Sequence, residues 1–128
     1  MRFMMMVIPK GHEPAAPMAT MMEYNKALQK AGVLLAVDGL FPPSTAARVS
    51  YADGKATAID GPFAEEGEVI GGYWIIQVRS REEAIEWARR APMSNNEVIE
   101  VRQIQELPDF PEEVQKVAAG FEHRNVVH

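Results

Sequence analysis

The sequence contains no cysteine, which excludes disulfide staples, thiolate nucleophiles and thiolate metal ligands. Long apolar runs are missing as well. The strongest, Phe3-Met4-Met5-Met6-Val7-Ile8, is broken by Pro9-Lys10-Gly11. It is too short for a membrane span and lacks the longer core and small-residue cleavage site of a signal peptide. Positive charge is also scarce: 13 Lys and Arg face 18 Asp and Glu, a formal net charge of −5. Nucleic acid is therefore not expected as a partner, because phosphate binding needs a basic face. A soluble, cytoplasmic protein with no membrane association is expected. No cofactor is expected: Gly71-Gly72 opens a strand and lacks the helix of a dinucleotide fingerprint. No spacing matches a zinc or calcium site, and Glu65, Glu66 and Glu68 read as a solvated acidic loop.

What is present suffices for one domain. The 128 residues are 47% hydrophobic, enough to bury a core and to exclude general disorder. Residues 2–8 read as a strand apolar on both faces, hence central in a sheet. A helix follows Pro17, with a stripe of Met18, Met21, Met22, Asn25 and Leu28, and Gly32 ends it. Residues 33–37 form a second strand that closes at Asp38-Gly39. Residues 46–51 and 55–59 flank Asp53-Gly54, the signature of a tight hairpin. Arg48, Ser50, Lys55 and Thr57 make one hairpin face polar. Residues 71–78 are a second strand apolar on both faces. Ser80-Arg81-Glu82-Glu83 is a capping box opening a helix that buries Ala84, Ile85, Ala88 and Ala91 and stops at Pro92. Charges alternate along residues 98–104, as on an edge strand. A terminal helix after Asp109 carries Phe110, Val114, Val117, Ala118 and Phe121 on one stripe.

The order is that of a ferredoxin-like α+β protomer, β-α-β-hairpin-β-α-β. Residues 1–107 form the domain, with the hairpin 46–59 inserted. Residues 108–121 form an amphipathic helix packed on the domain or on a partner, and 122–128 a tail. Two helices cover one face of a four-stranded sheet. The second apolar face then needs a cover, and a second copy of the chain is the simplest, so a homodimer with the sheets face to face is expected.

Asp60-Gly61-Pro62-Phe63-Ala64-Glu65, then Glu68 and Gly71-Gly72-Tyr73-Trp74, resembles the DGPF group of the YCII-related proteins. Arg2-Phe3-Met4, Ala31-Gly32-Val33-Leu34, Gly39-Leu40, Pro42-Pro43, Glu83-Ala84-Ile85-Glu86-Trp87-Ala88 and Ile99-Glu100-Val101-Arg102 complete the likeness over residues 2–110. The resemblance implies a dimeric α+β barrel with a cleft near the sheet and the motif loop, and it supplies no activity; a cleft-forming architecture with Asp60 at its edge leads us to expect a small-molecule binder or enzyme. It also implies a histidine–aspartate pair in the cleft of some relatives. For the DGPF group it implies an alternative role as a regulatory module beside a sigma factor of the extracytoplasmic-function type.

The candidate catalytic residues are Asp60 and His12. Asp60 is a general base at a pocket mouth or a turn residue capping free amides. His12 is a proton carrier just past a central strand or an exposed loop side chain. Tyr24, Arg48, Phe63 and Tyr73 are candidates for lining the cleft, Phe63 equally as a packing residue.

Overall fold

A computed structural model describes residues 1–9, 17–61 and 69–122. In chain order it contains β1 (Arg2–Ile8), α1 (Met18–Lys30), β2 (Leu34–Gly39), β3 (Ala47–Ala52), β4 (Lys55–Asp60), β5 (Gly72–Gln77), α2 (Arg81–Arg89), β6 (Val98–Gln103) and α3 (Glu112–Glu122). Short 3-10 turns occupy Pro43–Thr45 and Leu107–Asp109. His12, Phe63 and the acidic residues Glu65, Glu66 and Glu68 lie outside the described residues, as does the tail beyond 122.

The central sheet runs β2-β5-β1-β6, and every pair is antiparallel. The two strands read as apolar on both faces, β1 and β5, are the two inner ones. The alternating strand β6 is an edge, where its charged positions meet water. This mixed α+β topology is compatible with the ferredoxin-like arrangement.

Alternation along each strand sorts the side chains by face. Phe3, Met5, Trp74, Ile76 and Val78 meet Tyr24 and Leu28 of α1 and Ala84 of α2 in the core. Val7, Ile99 and Val101 flank it. Met4, Met6, Ile8, Tyr73 and Ile75 occupy the opposite face by the same alternation.

The helix α1 is turned slightly from its expected stripe. Tyr24 and Leu28 are its buried residues, whereas Met18 is 74% exposed and Met22 is exposed. The reason is specific to Tyr24. Its ring packs edge-on against Trp74 at 5.3 Å and Trp87 at 6.4 Å, and its hydroxyl donates to the Trp87 carbonyl at 2.6 Å. Burial then brings both area and a satisfied polar tip. At α2 the Ser80 hydroxyl accepts from the Glu83 N–H at 3.1 Å. The Glu83 carboxylate reaches one residue further back than a standard box, to the Arg79 N–H at 3.0 Å. The helix ends at Arg89, ahead of the expected stop at Pro92.

The strand β2 runs two residues past the expected end, because Asp38 and Gly39 pair with Tyr73 and Gly72. Strands β3 and β4 pair only with each other, and Asp53 and Gly54 take φ 51° and 75° between them. Positive φ at both central residues is what a type I′ hairpin turn requires. The Gly61 N–H donates to the Ala46 carbonyl at 2.7 Å and closes the ribbon's open end, while the Leu40 N–H donates to the Gly71 carbonyl at 2.9 Å and continues the β2–β5 pairing. The helix α3 packs mainly on the second 3-10 turn, and Val117 on its expected apolar stripe is 84% exposed.

Candidate functional site

The described residues enclose a cavity of about 370 Å³ between the first turns of α1 and one end of the central sheet. Its place follows from local sequence. Pro9 closes β1, Gly71-Gly72 opens β5, and the chain between Pro92 and Glu97 passes beside them before β6. The walls are Val7, Pro9, Met18, Met21, Val37, Trp74, Pro92 and Met93. Backbone of the Asp38–Gly39 and Gly71–Gly72 segments completes the floor, with Asn25 and Glu97 as its polar side chains.

Gly72 is required there by close approach. A Cβ on it would lie 2.9 Å from the Asp38 carbonyl oxygen and 3.3 Å from the Gly39 Cα. The glycine lets β2 and β5 draw together at the cavity's floor. Asn25 is pinned in the wall: its Oδ1 accepts from the Trp74 indole N–H at 2.8 Å. Because the indole is only a donor, the amide orientation is settled chemically, and the Asn25 side chain has N–H donors left to offer. Glu97 sits half-buried at the mouth, with Oε1 accepting from the Ser94 N–H at 2.7 Å.

A second pair, Tyr73 and Asp38, is also among the residues lining this cavity. Tyr73 and Asp38 are direct cross-strand partners, and the Tyr73 hydroxyl donates to Asp38 Oδ2 at 2.7 Å. That hydrogen bond to a carboxylate, more than burial, raises the Tyr73 pKa above the ordinary phenol value. Asp38 was not singled out from the sequence. The available signal was its position: like Asp60, it is an aspartate leaving a strand just before a glycine.

The expected site residues are dispersed. Tyr73 contributes to the cavity wall. Tyr24 belongs to the core instead, where burial raises its pKa to about 12, opposed in small part by Arg90. Arg48 and Asp60 stand on the exposed ribbon, outside the cavity wall. The cleft was expected beside Asp60; among the described residues the cavity lies at Gly71–Gly72, with Asp60 outside its wall. The DGPF turn has its own structural logic. A Cβ on Gly61 would come 2.8 Å from the Pro43 carbonyl oxygen and 3.0 Å from that of Ala46. Gly61 therefore lets the end of β4 close onto the 3-10 turn.

A wider, shallower groove between α2 and β6 adjoins the cavity and shares Met93 and Glu97 with it; Arg81 and Arg89 lie along it. Among the described residues no three His, Asp or Glu side chains assemble as a metal site, and no helix is long and apolar enough to cross a membrane.

Comparison with known proteins adds identity but no activity. An uncharacterized protein of Rhizobium meliloti (strain 1021) is 36% identical over 66 residues, which are 52% of this chain and 53% of that protein. The chain thus aligns with about half the length of that curated relative. The family model for the YCII-related domain matches residues 1–108, across all six strands and the two core helices. The chain belongs to the YCII-related family.

Proposed function

We propose that the protein binds a small organic molecule in the cavity between α1 and the central sheet, and that it works as a homodimer. The cavity itself carries the first half of this reading. It is of ligand size, apolar, and supplied with a few oriented polar groups, which is the usual make-up of a small-molecule site. The test is native mass spectrometry on protein purified gently from its host, beside a Val37→Trp variant that fills the mouth. A co-purifying small molecule lost in the variant supports the site. Ligand retained by a folded Val37→Trp protein sinks it.

The dimer is supported by the apolar face that the core helices leave. Both core helices pack on one face of the sheet; the other carries Met4, Ile8 and Ile75, half-buried, and Met6, buried. The ribbon adds Val49 and Tyr51, both exposed. A second copy would cover both surfaces and leave the cavity, on the helix side, accessible. Sedimentation equilibrium at micromolar concentration should then give twice the 14.2 kDa chain mass. A monomer under those conditions rules the arrangement out.

Placement in the DGPF group rests on the run from Asp60 to Phe63, a likeness of sequence. If the bound molecule is turned over, Asp60 and His12 are the acid–base pair to test: Asp60→Asn should then abolish turnover while ligand affinity holds.

A further inference from the structure

The cavity also restricts what it will accept, granting the reading of it as a ligand site. Its walls are the side chains of Val7, Met21, Val37, Trp74 and Met93 together with two prolines. Methionine thioethers adapt their shape to a guest but give it almost no hydrogen bonding. Charge is the deciding feature. Among the described residues no Lys or Arg lines the cavity. Two carboxylate residues do: Glu97, with one oxygen engaged by the Ser94 N–H, and Asp38, whose carboxylate accepts from the Tyr73 hydroxyl and by strand alternation turns to the opposite face. An anion entering this space would lose its hydration, meet no cation among the described residues, and meet like charge instead.

One wall group faces the other way chemically. With its Oδ1 accepting from the Trp74 indole, Asn25 keeps both Nδ2 N–H donors and one Oδ1 lone pair to offer a guest. A guest acceptor can take one of those N–H groups. We infer that the cavity takes an uncharged, mainly hydrocarbon molecule with one hydrogen-bond acceptor, of the aryl or alkyl ketone type, and rejects carboxylates and phosphates.

The test uses the full chain and four probes of one shape: butyrophenone, n-butylbenzene, 4-phenylbutylamine and 4-phenylbutanoate. The readout is the indole N–H resonance of Trp74 in ¹⁵N-labelled protein. The other tryptophan, Trp87, lies under the Arg90 guanidinium at 4.1 Å and serves as the internal control. The ketone should bind tightest, and the carboxylate at least about tenfold more weakly, since an unpaired anion is desolvated without compensation. An Asn25→Asp variant keeps an acceptor for the Trp74 indole but has no N–H to give. In it the ketone should lose its advantage over n-butylbenzene. Tightest binding by the carboxylate or the amine overturns this inference while leaving the cavity a ligand site. A Trp74 resonance that none of the four probes shifts overturns the ligand-site reading itself.

Discussion

The central sheet and the β3–β4 ribbon are built from the same antiparallel hydrogen bonding, yet one is a core and the other an arm. In the sheet, Ile76 and Met5 are fully buried and Trp74 nearly so. In the ribbon every residue is exposed, Tyr51 to 79% and Val49 to 51%. The ribbon is nonetheless two-sided. Register places Val49, Tyr51, Ala56 and Ala58 on one face and Arg48, Ser50, Lys55 and Thr57, with Ile59, on the other. Strand pairing therefore does not by itself hold a region in place. An isolated two-stranded hairpin is marginal in water, and a sheet gains its stability from side-chain area removed from water. The ribbon has the chemistry of a half-buried element without a surface of its own chain to lie on.

The comparison can be broken most directly by truncating each region in turn. Ile76→Ala should cost about 2–5 kcal/mol, the range for emptying a buried aliphatic site. Tyr51→Ala should change protomer stability by under about 0.5 kcal/mol, as exposed substitutions do, while weakening self-association. Urea unfolding of both variants, beside sedimentation of the second, checks this. Equal losses in the two regions would mean that the ribbon is supported within its own protomer.

Gly61→Ala probes the junction between the regions. The new methyl group meets the Pro43 and Ala46 carbonyls, and overpacking of this kind costs about 1–3 kcal/mol. The loss should be local: hydrogen exchange should quicken in β3 and β4 and stay slow in β5. Uniform acceleration would show that the ribbon and sheet open as one unit.

Tyr24→Phe sharpens the description of the core side. It removes the 2.6 Å bond to the Trp87 carbonyl and should cost about 0.5–1.5 kcal/mol. The wild type should also carry a pH signature. Its folded-state pKa is raised to about 12 from the ordinary 10, so the folded form holds the phenolic proton more tightly. The associated stability is complete below pH 10 and is lost as pH rises from there towards 12. Alkaline unfolding followed by circular dichroism should be less steep over that interval in Tyr24→Phe.

A small effect is expected at the sheet's end, where Arg2 holds Glu106 through two bonds of 2.8 and 3.0 Å. Both side chains are 39% exposed, so solvent screening limits Glu106→Gln to about 0.2–1 kcal/mol, fading in high salt. The Arg2 hydrogen bond lowers the Glu106 pKa. The contribution is therefore present above the ordinary carboxylate pKa and disappears as pH falls through the folded-state value.

Much of this architecture was legible in residue order. Strands apolar on both faces had to be central, alternating charge marked an edge, Asp53-Gly54 marked the hairpin turn, and Ser80 with Glu83 marked the start of α2. The terminal stripe was expected to pack on the domain or on a partner; within the protomer its Val114 and Val117 are exposed. The α1 stripe misled. A helical wheel ranks methionine above tyrosine, but the core held a carbonyl and two indoles suited to Tyr24.

The candidate site was less legible, and the two aspartate-glycine steps explain why. Asp38-Gly39 and Asp60-Gly61 look alike in sequence. Pairing sets the first at the floor of a cavity beside Tyr73 and the second at the exposed end of a ribbon. By itself the sequence determined the elements, their faces and the family, because periodicity, turn chemistry and capping act over a few neighbouring residues. Only the tertiary structure decided where space remains. The cavity lies among α1, β1, β2, β5 and the segment before β6, at the end where Gly72 lets β2 and β5 draw together.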